Sequence, residues 1–154
     1  MGDELVYPLT FSGVRPGEEQ NVIDLVGQAG LTTEDLNPHK LVHFIVARRG
    51  ASIVGTVGLE LAGPGALVRS LVVIETQRRQ AVATRLVAAI ERYARSHGIA
   101  ALYLLTMDAA AFFAKQGYQA FDRQSVPAGL QATAEFSTLC PATAQCLCKR
   151  LTPG

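Results

Sequence analysis

The stretch Leu67–Leu86, LVRSLVVIETQRRQAVATRL, constrains the fold of this chain more than any other. Leu67–Ile74 is an apolar, β-branched run with the length of a buried strand. Glu75–Gln77 is a short polar break. Arg78-Arg79-Gln80-Ala81-Val82-Ala83 then forms a small-residue turn leading into Val82, Leu86, Ile90 and Tyr93, an amphipathic helical stripe. A helix that begins this way presents unpaired backbone N–H groups at the positive end of its dipole, with Arg78 and Arg79 beside them. That is a site for an anion such as a pyrophosphate. On geometry alone, an ordinary strand–turn–helix with no ligand is the favoured reading.

Composition narrows the classes. A chain of 154 residues, 49% apolar, fits one domain over residues 1–154 with a full core; folding at this size buries roughly 68–70% of the unfolded chain's surface. The formal charge is +1 and Lys/Arg do not cluster, which argues against a nucleic-acid partner. No stretch has the apolar length of a membrane span, and MGDELVYPLTF lacks the features of a signal peptide. Cys140, Cys146 and Cys148 are an odd set near one end, so a disulfide framework is not expected and a reducing cytoplasm is.

Along the chain, Glu4–Phe11 reads as a strand interrupted by Pro8 and closed by Ser12-Gly13. Pro16 stands near a helix start, with Glu18 and Glu19 in the first turn, and Val22, Leu25, Val26 and Ala29 make a stripe ending near Gly30. Thr32 or Thr33 caps a short turn through Leu36, which Asn37-Pro38 breaks. Leu41–Arg48 and Ser52–Leu61 are strands joined at Arg49-Gly50. In the second, Thr56, Gly58 and Glu60 share one face. The helix after the turn runs to Ser96-His97-Gly98, with Gly98 as C-cap and a structural His97. Ala101–Thr106 is a buried strand parallel to the central one. Asp108 caps a helix over Ala109–Gln116. Tyr118–Arg123 is a strand, Pro127–Phe136 a helix and Ala144–Leu151 the closing strand.

The order of residues around Leu67–Leu86 resembles motif A of the GNAT family of N-acetyltransferases. There a strand ending in an apolar triplet runs into R/Q-x-x-G-x-G/A at a helix start. Leu71-Val72-Val73 matches the triplet and Arg79–Thr84 the loop, with Ala81 in place of the first glycine. Thr106–Tyr118 resembles a second block, N-x-x-A-x-x-L-Y-x-x-x-G-F, so the likeness covers about Ile53 to Tyr118. The tail ATAEFSTLCPATAQCLCK is similar to a group of N-acetyltransferases associated with arsenic resistance. The resemblance implies a mixed α/β fold of about six or seven strands flanked by helices on both faces. It implies acetyl-CoA as cosubstrate, its pyrophosphate on the amides around Arg78, Arg79, Gln80, Ala81, Val82, Ala83 and Thr84. The pantetheine arm would pair with the strand at Leu71, Val72 and Val73, with Phe113 lining the same site. The helical region after the first strand would line the acceptor side.

Acetyl transfer to an amine needs a polarised thioester carbonyl, a neutral amine and a leaving thiolate. Backbone N–H groups near Leu71–Val73 suffice for the first. A lysine-like amine, of reference pKa about 10.4, is almost wholly protonated at neutral pH, so a base is useful. Glu60 is the candidate, on a face where Gly58 leaves open space; a solvated strand-end carboxylate is an equal alternative. For the thiolate, the family often has tyrosine where this chain has Phe113, and asparagine where it has Thr106, a possible hydrogen-bond partner. Tyr103 and Tyr118 are expected in the core. His39 and His43 have helical zinc spacing, but Pro38 and the strand pattern argue against a helix there. The cysteines are expected to be buried hydrophobes rather than ligands of a soft ion, so no metal is expected. The sequence thus points to an acetyl-CoA-dependent N-acetyltransferase acting on a small amino-acid-like amine, as a monomer or homodimer, in arsenic or toxic-metabolite resistance. The alternative is a non-catalytic acyl-CoA-binding or thiol-based arsenic-sensing protein on the same fold.

Overall fold

A computed structural model describes residues 7–78 and 81–152. In chain order these form β1 (Leu9–Gly13), α1 (Glu19–Gln28), α2 (Pro38–Leu41), β2 (Phe44–Arg49), β3 (Ser52–Ala62), β4 (Gly65–Val73), α3 (Val82–Ser96), β5 (Ala101–Thr106), α4 (Ala110–Lys115), β6 (Gln119–Ala120), α5 (Ala128–Gln131) and β7 (Gln145–Arg150). The strands make one seven-stranded mixed sheet of order β1-β2-β3-β4-β5-β7-β6, flanked by helices. By packing, the described residues divide into two compact units. One holds the residues up to Gly58 together with Ser70–Ile90, and the other holds Leu59–Arg69 and the residues from Glu91 onward.

In the first unit β1, β2 and β3 form an antiparallel meander, with a bulge in the β2–β3 ladder between Ala47 and Arg48. Val22 of α1, Leu41 of α2, and Phe44 and Val46 of β2 make its core cluster. Within the described residues the first strand begins at Leu9, after Pro8, which has no N–H for the ladder; the expected Glu4–Val6 part lies outside the described residues. The Thr33–Leu36 turn closes with a 2.9 Å bond from Leu36 N–H to the Thr33 carbonyl, and Asn37-Pro38 both ends it and opens a helix. The Asn37 side chain accepts from Lys40 N–H at 3.0 Å, and proline fits the first helical position. The strand therefore begins at Phe44, not Leu41. His39 is helical after all, but His43 lies beyond that helix, and among the described residues no group of three His, Cys, Asp or Glu could hold a metal.

Arg48 ties this unit's first loop down. Its guanidinium is buried and donates to Glu18 Oε1 at 2.5 Å and Oε2 at 3.3 Å, to the Gly13 carbonyl at 3.1 Å and to the Ser12 hydroxyl. Glu18 in turn accepts from Arg15 N–H. Gly58 does not leave open space: the Phe44 ring fills it, and a Cβ there would meet ring carbons at 2.3 Å.

In the second unit β5 pairs in parallel with β4 at Gly65–Leu67 and antiparallel with β7 along its whole length. Leu67, Ala101, Tyr103, Val126, Leu130, Phe136 and Cys146 form its core cluster. Three expectations are corrected here. Tyr118–Arg123 contains only the two-residue β6, because Asp122 accepts from Gln124 N–H and turns the chain into a 3₁₀ turn. Pro127–Phe136 is not one helix but α5 followed by a π-helical turn, Glu135–Leu139. Thr106 Oγ1 caps the turn that leads into α4, accepting from Ala109 N–H at 2.9 Å; Ala109 stands at the helix's N-cap without a side-chain cap bond, so Asp108 does not cap it. Gly98 (φ +73°) closes α3 as expected, and His97 Nδ1 caps the Tyr93 carbonyl at 2.9 Å.

Hydrogen bonding from the Arg48 guanidinium, first among the influences on Glu18, holds that carboxyl below the usual range. A lowered folded pKa stabilises above the unfolded carboxylate pKa and loses that contribution as pH falls through the folded value. Glu18→Gln should cost about 1–3 kcal/mol at neutral pH, because it leaves a buried donor poorly satisfied. The gap between variant and parent, measured by thermal unfolding from neutral to acidic pH, should close as the pH falls.

Candidate active site

In the first unit the site elements are the end of β4 and the start of α3. β4 is buried nearly throughout, and its backbone is left-handed at Ser70 (φ +59°), just before Leu71, Val72 and Val73. That single left-handed residue breaks the regular ladder, and along β5 the pairing with β4 runs only from Gly65–Ala101 to Leu67–Tyr103. Gly55 of β3 backs the triplet: a Cβ there would stand 2.8 Å from the Val72 carbonyl, so only glycine allows β3 to lie this close.

After a 3₁₀ turn, Glu75–Gln77, Arg78 Nε donates to the Val73 carbonyl at 3.2 Å. Arg79 and Gln80 lie outside the described residues. Ala81 is left-handed (φ +60°), the conformation that suits a glycine in this loop. Among the described residues the first bond of α3 runs from Arg85 N–H to the Ala81 carbonyl at 3.0 Å. Val82, Ala83 and Thr84 supply the N–H groups of the first helical turn, the end of a helix where donors lie ahead of its own ladder. Exposed Ala81 and Thr84 and half-buried Ala83 add little bulk around them. A helix N-terminus carries the positive end of the dipole, the end that favours an anion.

In the second unit Glu60 lies near the end of β3. Its Oε1 accepts from Arg69 NH1 at 3.1 Å, and Arg69 Nε donates to Glu135 Oε2 at 3.0 Å. The Arg69 side chain has no exposed surface, whereas Glu60 retains 18%. Sequence reasoning singled out Glu60 but missed Arg69 and Glu135. The signal for Arg69 was present as one charge within the apolar run LVRSLVV; Glu135 carried no signal.

Thr106 and Phe113 lie on β5 and α4. Thr106 Oγ1 is engaged as the cap already described. Phe113 is buried, edge-on to the Tyr118 and Phe112 rings. The Tyr118 hydroxyl donates to Glu91 Oε2 at 3.0 Å, and Lys149 Nζ closes the cluster at 2.9 Å from Glu91 Oε1. Burial, and then the Glu91 charge, push the Tyr118 phenol above its ordinary value. Burial raises Tyr103 as well. Both tyrosines are core residues.

The cysteines are free. Burial pushes the Cys140 thiol up to about 12 and Cys146 up to about 11, and it raises Cys148 too. Thiols held protonated this way are poor nucleophiles and poor ligands for a soft ion.

A buried strand with a left-handed residue at Ser70 is followed by a left-handed Ala81 directly before the helix α3. The acetyltransferase (GNAT) family model matches residues 14–118, and the chain belongs to that family of acetyl-CoA-dependent N-acetyltransferases. No curated protein matches it in sequence. Among solved structures it is similar to N-acetylglutamate synthase from Neisseria gonorrhoeae, complexed with coenzyme A and L-arginine. That match has 17% identity and a TM-score of 0.80, covering 94% of this chain and 34% of that one. This chain thus spans about a third of the synthase's length. It is also similar to Rv2747 from Mycobacterium tuberculosis in complex with CoA (16%, TM-score 0.79, 93% and 99% covered). A GNAT acetyltransferase from Staphylococcus aureus Mu50 follows at 16% identity and TM-score 0.72, with 94% and 100% covered. Among the described residues no helix is long and apolar enough to cross a membrane.

Two substitutions test the loop. Ala81→Gly removes a left-handed alanine, so it should keep or improve acetyl-CoA affinity and raise stability by up to about 1 kcal/mol. Val82→Pro takes away one amide donor at a position where proline is tolerated in a helix, and it should weaken binding in calorimetry while the fold survives. Unchanged affinity in a folded Val82→Pro protein would refute the placement.

Proposed function

We propose that this protein transfers the acetyl group of acetyl-CoA to the primary amine of a small, amino-acid-like molecule. The observation that carries the reading is the left-handed Ala81 at the open N-terminus of α3, in a chain of this family. The complexes of the N. gonorrhoeae synthase with L-arginine and with N-acetyl-glutamate support an amino-acid-like acceptor. The pyrophosphate sits on the amides of Val82, Ala83 and Thr84, with Arg78, Arg79, Gln80 and Ala81 completing the loop. The pantetheine arm pairs with the backbone of Leu71, Val72 and Val73, and Phe113 gives an apolar wall. Thr106 serves the leaving group only weakly, because its oxygen already accepts from Ala109 N–H.

Glu60 takes the proton of the incoming amine, directly or through water. The neutral amine nitrogen then bonds to the thioester carbon, the carbon–sulfur bond breaks, coenzyme A leaves as thiolate, and the second proton on the nitrogen passes to water. With a reference pKa of about 8.5, that thiol is a tolerable leaving group without an acid. The tail's resemblance supports an arsenic- or toxin-resistance setting, with an amino-bearing organoarsenical or a glutamate analogue among the acceptors.

A screen of amines by thiol release, with acetyl-CoA as donor, tests the activity. Glu60→Gln should lower kcat/KM by about 10²–10⁴-fold, leave cofactor affinity nearly unchanged and flatten the acidic limb of the pH–rate profile. Cys140→Ser and Cys148→Ser should retain transfer. Stoichiometric, tight binding of trivalent arsenic that any one cysteine change abolishes would replace the enzyme reading with a sensor.

A further inference from the structure

Arg69 is a single cation held by two carboxylates from different parts of the chain, and its geometry is specific. NH1 goes to Glu60 of β3 and Nε to Glu135 of the π-helical turn, at 3.1 and 3.0 Å. Glu135 is the better buried of the two, with 7% of its side chain exposed against 18% for Glu60. Both of its oxygens are engaged, since Cys140 Sγ donates to Oε1 at 3.5 Å. Burial keeps that thiol protonated and hence a donor. Arg123, the further cation at this turn, spans the carbonyls of Phe136, Cys140 and Pro141 and lies 5.8 Å from the Phe136 ring centre, which fixes the turn that carries Glu135. Arg69 directly precedes the left-handed Ser70 in β4.

An arginine bound to one carboxylate alone would hold it as a weak base. We propose that Glu135 is a positioning residue for the transfer reaction. By holding Nε, it keeps the guanidinium shared, so that Glu60 is aligned by NH1 yet retains the basicity to take a proton from the amine. The inference rests on the reading of Glu60 as the base. It also assigns a task to the segment after α5, outside the stretch that matches the family model.

The test compares pH profiles of kcat/KM for the full-length parent, Glu135→Gln and Glu60→Gln, with thermal unfolding recorded in parallel. In Glu135→Gln the undivided charge of Arg69 acts on Glu60. The acidic limb should therefore move to lower pH by about one unit, and the plateau should fall about tenfold as the base weakens. A loss of stability alone would not move the limb. A limb that stays in place in folded Glu135→Gln, while Glu60→Gln flattens it, overturns the inference and leaves the base intact. A limb unchanged in Glu60→Gln overturns the base reading, and the inference falls with it. Should Glu135→Gln fail to fold, Glu135→Asp draws the charge back from Nε and should shift the limb the same way by a smaller amount. An unshifted limb in that variant overturns the inference equally.

Discussion

A guanidinium without exposed surface, set within the buried β4 strand, imposes more on this protein than any other single group. Removing a charge from water costs several kcal/mol unless it is met by opposite charge and hydrogen bonds. Arg69 is met twice, by Glu60 and Glu135. Satisfying it brings the end of β3 and the π-helical turn to the same point of β4. Breaking one arm would leave the other carrying an unbalanced buried charge, so the three residues stand or fall together. The family's apolar strand thus includes a charged residue whose needs organise the chain around it.

The backbone carries a second constraint. Two non-glycine residues, Ser70 and Ala81, adopt left-handed conformations that cost roughly 1–2 kcal/mol each for L-residues. They bracket Leu71–Val73 and the loop before α3, the segments proposed to hold the cofactor. Strain kept in place by surrounding structure commonly marks a functional site. Here the strained residues set the direction of backbone groups, which is what the proposed cofactor placement asks of this stretch.

Polar side chains elsewhere in the second unit are mostly committed. Tyr118 donates to Glu91, Lys149 closes that pair, and Thr106 caps the turn into α4. Phe113 has no hydroxyl to donate, so under the proposed placement the leaving thiolate has little acid help and the transfer rests on alignment and on the proposed base. That economy agrees with a thiol acceptable as a leaving group near neutral pH.

Local pattern alone determined the parts of this protein that one stretch of chain can specify. The alternation and β-branching of Ser52–Leu61 and Leu67–Ile74, the stripe from Val82 through Ile90, the run Ala101–Thr106 and the glycine stop at Gly98 all read directly as elements, because period and capping are written within each element. The motif order around Leu71–Thr84 was likewise legible, and so was the family. What it did not hold was anything decided by a distant neighbour. Gly58 received the Phe44 ring instead of open space, whereas the Asn37 cap that starts a helix and the Asp122-capped turn that cuts short Tyr118–Arg123 are local signals that the hydrophobic pattern outweighed. The partnership of Arg69 with Glu135 joins residues 66 positions apart. Only the tertiary structure decides such a pairing, because an ion pair's value depends on where burial places both ends, and no local pattern encodes that.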